Sequence, residues 1–143
     1  MADIAAPTTL RPLVDFQPDA AQMTRAGERV ADAALAVGDV VRVSTNGVAK
    51  AQADSAANAT GVLGIAVKAC PAGQPPALCY GGLLTGFSGL TPQTRYVLSA
   101  AAAGAIAPAA DLGTGDEFVE VGIAVSATEL FVRIYHNSEA VPA

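Results

Sequence analysis

An all-β fold, a pseudo-duplicated barrel or sandwich behind an extended N-terminal arm, is what three features of the sequence predict. From Arg29 onward the apolar residues alternate with period two in many short segments. Gly, Pro, Asn, Asp and Thr clusters separate those segments at short spacing, and one eight-residue segment occurs twice. The first strands are Val41-Arg42-Val43-Ser44 and Val48-Ala49-Lys50, joined at Asn46-Gly47, the strongest short-range hairpin signal. Further strands are expected over Val62 to Val67, Leu78 to Leu84, Tyr96 to Ser99, Phe118 to Val125 and Leu130 to Tyr135. The run Ala100 to Ala110 has helical propensity. Gly104 and Pro108 interrupt it, however, and an uncapped alanine tract this short is marginal in water. A turn followed by a small-residue strand is the better expectation.

The repeat is Val62-Leu63-Gly64-Ile65-Ala66-Val67-Lys68-Ala69, met again as Glu120-Val121-Gly122-Ile123-Ala124-Val125-Ser126-Ala127. Upstream, Val41 to Ser44 has a counterpart in Tyr96 to Ser99, and Gly47 in Gly104. Both halves run strand, glycine turn, small-residue strand, loop, then Gly-Ile-Ala-Val. Two copies fit a pseudo-symmetric barrel or sandwich rather than a solenoid. The glycine inside each copy marks a bulge or a close approach of two backbones.

Residues 1 to 28 have a different character. Pro7, Pro12 and Pro18 recur at near-regular intervals, each fixing φ and extending its predecessor. Ile4, Leu10, Leu13, Val14 and Phe16 follow neither a helical nor a strand period. An extended arm carrying anchors, with no core of its own, accounts for them; the alternative is a frayed terminus. Asp19 to Arg25 has room for a helical turn capped by Asp19. The division is therefore an arm over 1 to 28, a β-domain over 29 to 136 and a tail over 137 to 143.

Composition narrows the classes of function. The hydrophobic fraction of 52% includes about thirty alanines, and charged residues make up only 15%. Disorder is excluded, because disordered chains are charge-rich and poor in Val, Ile and Leu. No run approaches the ~18 apolar residues of a membrane helix. A net charge of -5, with scattered Lys and Arg, counts against nucleic acid. Met1-Ala2-Asp3 lacks the basic and apolar regions of a signal peptide, which points to folding in a reducing cytoplasm. With so few charges for a monomer's surface, part of the surface is expected to be covered.

Sites of chemistry are sparse. His136, the single histidine, ends the last expected strand and reads as a solvated residue. Gly86-Phe87-Ser88-Gly89 lacks the spacing of a nucleophile elbow. One His and two Cys are too few for a zinc site, and Asp111, Asp116 and Glu117 match no calcium loop. Gly113-Thr114-Gly115 precedes a strand, not the helix of a phosphate loop. No catalytic residue, metal or cofactor is expected. Cys70 and Cys79 flank a loop between two expected strands, as a possible disulfide or a free thiol pair. A bridge needs Cα atoms within about 7 Å, and the reduced pair is the default in a cytoplasm.

One long stretch carries a resemblance. Gly89-Leu90-Thr91-Pro92, then Tyr96-Val97-Leu98, an Ala/Gly/Thr-rich turn, and Val121-Gly122-Ile123-Ala124-Val125-Ser126-Ala127-Thr128-Glu129-Leu130 resemble small β-rich virion proteins of tailed bacteriophages. Closest in size and layout are the capsid decoration, or cement, proteins of the β-tulip or small-barrel type. The resemblance spans roughly residues 35 to 135, and the same module occurs in tail and head-fibre proteins. It implies a non-enzymatic homotrimer on the outer face of the head, assembled in the host cytoplasm, with the major capsid protein lattice as partner. Ile4, Leu10, Pro12, Leu13, Val14 and Phe16 are then the expected capsid-contacting residues of the arm, which also has the reach to link neighbouring trimers. The alternative is a tail or head-fibre module that contacts host surface or glycan through Phe87, Tyr80 and Tyr135. Neither reading calls for nucleic acid or membrane.

Overall fold

A computed structural model, describing Ile4, Ala6, Pro7 and residues 10–12, 22–25 and 29–140, has a nearly all-β fold. Its strands are β1 (Arg11–Pro12), β2 (Gln22–Arg25), β3 (Val40–Val43), β4 (Val48–Lys50), β5 (Val62–Ala66), β6 (Ala77–Thr85), β7 (Arg95–Leu98), β8 (Ile106–Pro108), β9 (Glu117–Ala124) and β10 (Glu129–Ala140). A short α-helix, α1 (Ala56–Ala59), begins where Ser55 Oγ accepts the Asn58 N–H, and a 3-10 turn (Ala109–Asp111) follows β8. The main sheet runs β4-β3-β5-β6-β10-β9-β7-β8, every neighbour antiparallel, with β1 and β2 added to β6. It curls into a half-barrel. Beyond β4, the Gly104 N–H donates to Ala51 O at 2.7 Å and the Ala53 N–H to Ser99 O at 2.9 Å, tying the two ends of the sheet.

The strands expected from alternation are present, and the alanine-rich run does form a turn followed by β8. The β3–β4 turn closes with the Ser44 N–H on Gly47 O and the Gly47 N–H on Ser44 Oγ. Gly47 is needed there because a Cβ would sit 2.1 Å from Val30 O. Two expectations change. Gln22–Arg25 pairs with β6 instead of making a helical turn, since the edge of β6 satisfies its backbone groups; Asp19 lies outside the described residues. Strand β10 also runs past Tyr135 to Ala140, paired with β9.

The same register recurs along the chain. Val41 pairs with Gly64 and Arg42 then skips to Val62; Tyr96 pairs with Gly122 and Val97 then skips to Glu120. Each skip is a bulge beside the glycine. A Cβ on Gly64 would lie 2.5 Å from Cys79 O, and one on Gly122 would lie 2.3 Å from Phe131 O. Before these strands, the Gly38 N–H donates to Ala66 O and the Gln93 N–H to Ala124 O, both at 2.8 Å. Gly38 has φ +92° and Gln93 φ +67°, the latter the one non-glycine residue of positive φ among the described residues. In the turns, the Ser44 N–H reaches Gly47 O and the Ser99 N–H reaches Ala105 O. Ala105, rather than Gly104, therefore stands where Gly47 does.

Two apolar clusters result. The larger gathers Val40, Ile65, Cys79, Leu84, Tyr96, Leu98, Val119, Val121, Leu130 and Val132 inside the curl. The smaller, with Val41, Val48, Ala66 and Leu78, lies on the other face of β3–β5 and is covered by Ala31, Leu35 and Cys70. Strand β6 serves both. Cys79 and Leu84 face the same large cluster although their parity differs. The intervening Gly82 has φ +85°, and β2 skips from Gly81 to Cys79, so the strand turns over between them. Leu10 is 4% exposed in the large cluster, and the Ile4 N–H donates to Ile106 O.

The expected outcome of Gly64→Ala or Gly122→Ala is a loss of about 2 kcal/mol or more in urea unfolding, because backbone cannot retreat from the added methyl. Gly73→Ala, where a Cβ meets nothing within 4 Å at φ +84°, should lose only about 1 kcal/mol, from left-handed backbone.

Candidate interaction face

The register places four side chains in a row across one face of β7, β9, β10 and β6. Arg95 is opposite Ile123, Ile123 opposite Phe131, and Phe131 opposite Leu83. Directly opposed residues of antiparallel strands share a face. Ile123, Phe131 and Leu83 are half-buried and Arg95 is exposed, whereas Tyr96, Leu130 and Leu84, one residue along, are buried inside the curl. The row is therefore the outside of the sheet.

Beside it lies the most elaborate polar cluster among the described residues. The Glu120 carboxylate, only 5% exposed, is held at Oε1 by Arg95 Nε at 2.9 Å. At Oε2 it accepts from Arg133 Nε at 3.2 Å and Nη2 at 3.1 Å. Both arginines are more than half exposed, so the acid is shielded by its partners' side chains rather than by the core. A bulge between Val132 and Tyr135 sets Tyr135 opposite Glu120, with Tyr135 60% exposed. Arg95, Phe118, Glu120, Arg133, Ile134 and Tyr135 line an open depression of about 360 Å³. Two arginines on one carboxylate leave a net positive charge. Apolar residues rimmed by Arg and Tyr are the composition of protein contact surfaces.

The residues singled out in the sequence fare differently. Leu10 is buried in the chain's own core, which withdraws it from contact with a partner, and Ile4 is half-buried against the same cluster. Pro12 lies in β1 against β6, while Leu13, Val14 and Phe16 lie outside the described residues. Phe87 is 4% exposed, so it offers no surface to a glycan; Tyr80 and Tyr135 are exposed. His136 is not simply solvated: its side chain is 29% exposed, with Nε2 3.9 Å from Glu117 Oε1. Asp116 accepts the Gly113 N–H at 2.8 Å, the contact of a turn. Among the described residues no group of three or more His, Cys, Asp or Glu is placed to hold a metal ion.

Cys70 and Cys79 are both free and buried. They do not oppose each other, because Cys70 bridges to Leu35 and Cys79 pairs with Ile65. Each packs in a different cluster. The Cys70 thiol donates to Gln74 O, and the Cys79 thiol to Gly81 O. Burial pushes the Cys79 thiol above its ordinary value of 9.0, offset in part by backbone hydrogen bonding at Gly81.

The Arg95–Glu120–Arg133 cluster is what sequence reasoning missed. Arg95 lies 25 positions before Glu120 and Arg133 lies 13 after it, and strand pairing with its bulges brings the three together. The charged Glu120 in place of Val62 within the repeat was the available signal. No protein-family model matches the chain, and no curated protein matches it significantly. Among the described residues no helix is long and apolar enough to cross a membrane.

Arg95→Ala and Arg133→Ala should each lower stability by about 1 kcal/mol or less, since the other arginine still holds Glu120. The double variant should lose about 3 kcal/mol, more than the sum, by stranding a buried carboxylate; a double-mutant cycle in urea measures the coupling. For Cys79 the folded-state value is the raised one, so the unfolded thiol ionises first. Its contribution to stability is complete below 9.0 and fades as pH rises above it. Unfolding curves from pH 8 to 10 should accordingly fall less steeply in Cys79→Ala than in the parent.

Proposed function

We propose that the chain is a structural virion protein, a decoration or cement protein that binds the outer face of an assembled phage head as a homotrimer. The supporting observation is where the segments that resemble virion proteins lie. Gly89 to Leu98 and Val121 to Leu130 fall on β7, β9 and the start of β10, neighbours in the sheet. In the first segment the buried Tyr96 hydroxyl accepts the Thr91 N–H at 2.8 Å, so the Leu-Thr-Pro corner and the tyrosine form one unit. The second segment supplies Ile123 to the exposed row. We take the recurring register of β3–β5 and β7–β9 as support for a pseudo-duplicated barrel of the tulip type, with residues 1 to 28 as an arm on its side.

A protein that binds the lattice and not the free coat subunit stabilises it by mass action. Many weak contacts over a shell sum to firm attachment. Since Leu10 is taken up by the protein's own core, the arm's share of head binding rests on Leu13, Val14 and Phe16. The Arg- and Tyr-rimmed face of β7, β9 and β10 is a further candidate contact surface. The exposed Tyr80 and Tyr135 favour a second reading, a tail or head-fibre module for glycan or host surface.

Purified protein mixed with expanded, undecorated heads should appear as density at the three-fold positions and raise their melting temperature. Absence of binding together with a positive glycan array would replace the first reading by the second. The triple substitution Leu13→Ser, Val14→Ser, Phe16→Ser should weaken head binding at least about tenfold, or ~1.4 kcal/mol, without changing the unfolding midpoint. Unchanged affinity would remove the arm from the mechanism.

A further inference from the structure

We propose that Asn46-Gly47, at the tip of the β3–β4 hairpin, is a site of spontaneous deamidation that the folded chain keeps closed by holding the Gly47 peptide unit on Ser44 and Arg29. The reaction needs no partner but water, and the proposal is independent of what the protein binds.

Residue type supplies the chemistry. After an asparagine, a glycine nitrogen is unshielded by any side chain of its own. Having lost its proton to solvent base, the Gly47 nitrogen attacks Asn46 Cγ. The N–Cγ bond forms, and the Cγ–Nδ2 bond breaks as ammonia leaves with a proton from water. Water then opens the resulting succinimide on one side of the nitrogen or the other. Breaking the new N–Cγ bond gives aspartate. Breaking the original bond to the Asn46 carbonyl carbon gives isoaspartate, whose main chain runs through Cβ and Cγ. The net change is a water consumed and an ammonia released, with nothing oxidised or reduced. Asn46 is exposed to the water this requires.

Attack requires the Gly47 nitrogen to swing onto its neighbour's side chain, and the turn fixes it elsewhere. Its N–H donates to Ser44 Oγ at 3.1 Å. Its carbonyl oxygen accepts from the Ser44 N–H at 2.9 Å and from Arg29 Nη1 at 3.1 Å, and the same arginine nitrogen reaches Ser44 O at 3.1 Å. Behind it stands Val30 O, which accepts the Val48 N–H at 3.0 Å and would lie 2.1 Å from a Cβ on Gly47. Gly47 is accordingly buried although Asn46 beside it is exposed. The nucleophile is held while the side chain it must attack stands in solvent. The product does not fit the turn either. Isoaspartate adds a main-chain carbon between Ser44 and Gly47, the two residues whose hydrogen bonds close the loop. A molecule that opens here and reacts does not regain the β3–β4 register that keeps Val48 at 0% exposure in the smaller cluster. The turn thus converts a transient local opening into a permanent mark.

The test is peptide mapping by mass spectrometry of the full chain held in mildly alkaline buffer, following the mass gain of an amide turned acid at Asn46. The native parent should convert far more slowly than the same chain unfolded in guanidinium chloride. Ser44→Ala, which removes the acceptor of the Gly47 N–H, should convert about fivefold faster than the native parent, the effect of one hydrogen bond on a local opening. Ser44→Thr keeps the hydroxyl and should react at the parent's rate. Gly73→Ala, destabilised in a different loop at φ +84°, should do the same. Should Ser44→Ala fail to fold, Arg29→Ala, at an exposed residue, loosens the same turn and should also react several-fold faster than the parent. Equal rates in the native and unfolded parent overturn the proposal. So does a folded Ser44→Ala, or Arg29→Ala in its place, that reacts no faster than Gly73→Ala. A Ser44→Thr protein as fast as Ser44→Ala overturns it too.

Discussion

Successive residues of a β-strand face opposite sides, and β6 supplies two cores from one segment of nine residues. The rest of the architecture depends on how that is done. Leu78 goes to the smaller cluster and Cys79 to the larger, as alternation requires. Five residues on, Leu84 should face away from Cys79, yet it enters the same cluster. The reversal falls at Tyr80-Gly81-Gly82, where positive φ at Gly82 removes the cost that a Cβ would impose. Without it, the β10 side of the sheet would turn its apolar residues to solvent. With it, β5 pairs with the first part of β6 and β10 with the last, and the sheet curls about a shared interior. The exposed Tyr80 stands at the turning point.

The reversal also explains why two stretches of similar register end in different surroundings. Val40, Ile65 and Cys79 close the interior from one side, while their register equivalents Arg95, Ile123 and Phe131 face out on the other. Selection of residue type follows the surroundings and not the register: valine becomes arginine, cysteine becomes phenylalanine, and Val62 becomes Glu120. A carboxylate at such a position is costly to bury without partners. Arg95 and Arg133 meet that cost from the two strands that flank β9. The low charge content thus has two origins, small apolar residues that fill the close approaches of the sheet and an outer face that is apolar at its centre.

Much of this was legible in the sequence because its signals were local. Alternation located the strands, Asn46-Gly47 located the first hairpin, and Gly104 with Pro108 kept the alanine run out of a helix. The repeat found two glycines, Gly64 and Gly122, at which an added Cβ would lie within 2.5 Å of neighbouring backbone. What escaped was non-local or depended on an edge. Gln22–Arg25 is a strand only because β6 offers it partners, and α1 is a single capped turn with no periodicity to reveal it. Leu10 looked like an anchor for another molecule because nothing in the sequence shows the gap among Val40, Phe87 and Ile106 that it shares. The Glu120 cluster depended on a bulge, and a bulge shifts register by one residue without leaving a composition signal. Phe87 was named with Tyr80 and Tyr135 as an exposed aromatic for the alternative glycan reading, although the Phe87 N–H bonds Thr128 O and its ring is buried.

The distinction between local and non-local signals bears on the arm as well. Proline spacing led to the expectation of extended backbone, and the described segments Arg11–Pro12 and Gln22–Arg25 are strands beside an open strand edge. Both described strands of the arm pair with β6, Arg11 and Pro12 at its end and Gln22 to Arg25 at its start. A segment that contributes backbone hydrogen bonds to the central strand and a buried leucine to the core is part of the domain's stability. Whatever it does for a partner must be done by the residues between those two points of attachment. Residues 13 to 21 form the stretch that joins them, and Leu13, Val14 and Phe16 are its only large apolar side chains.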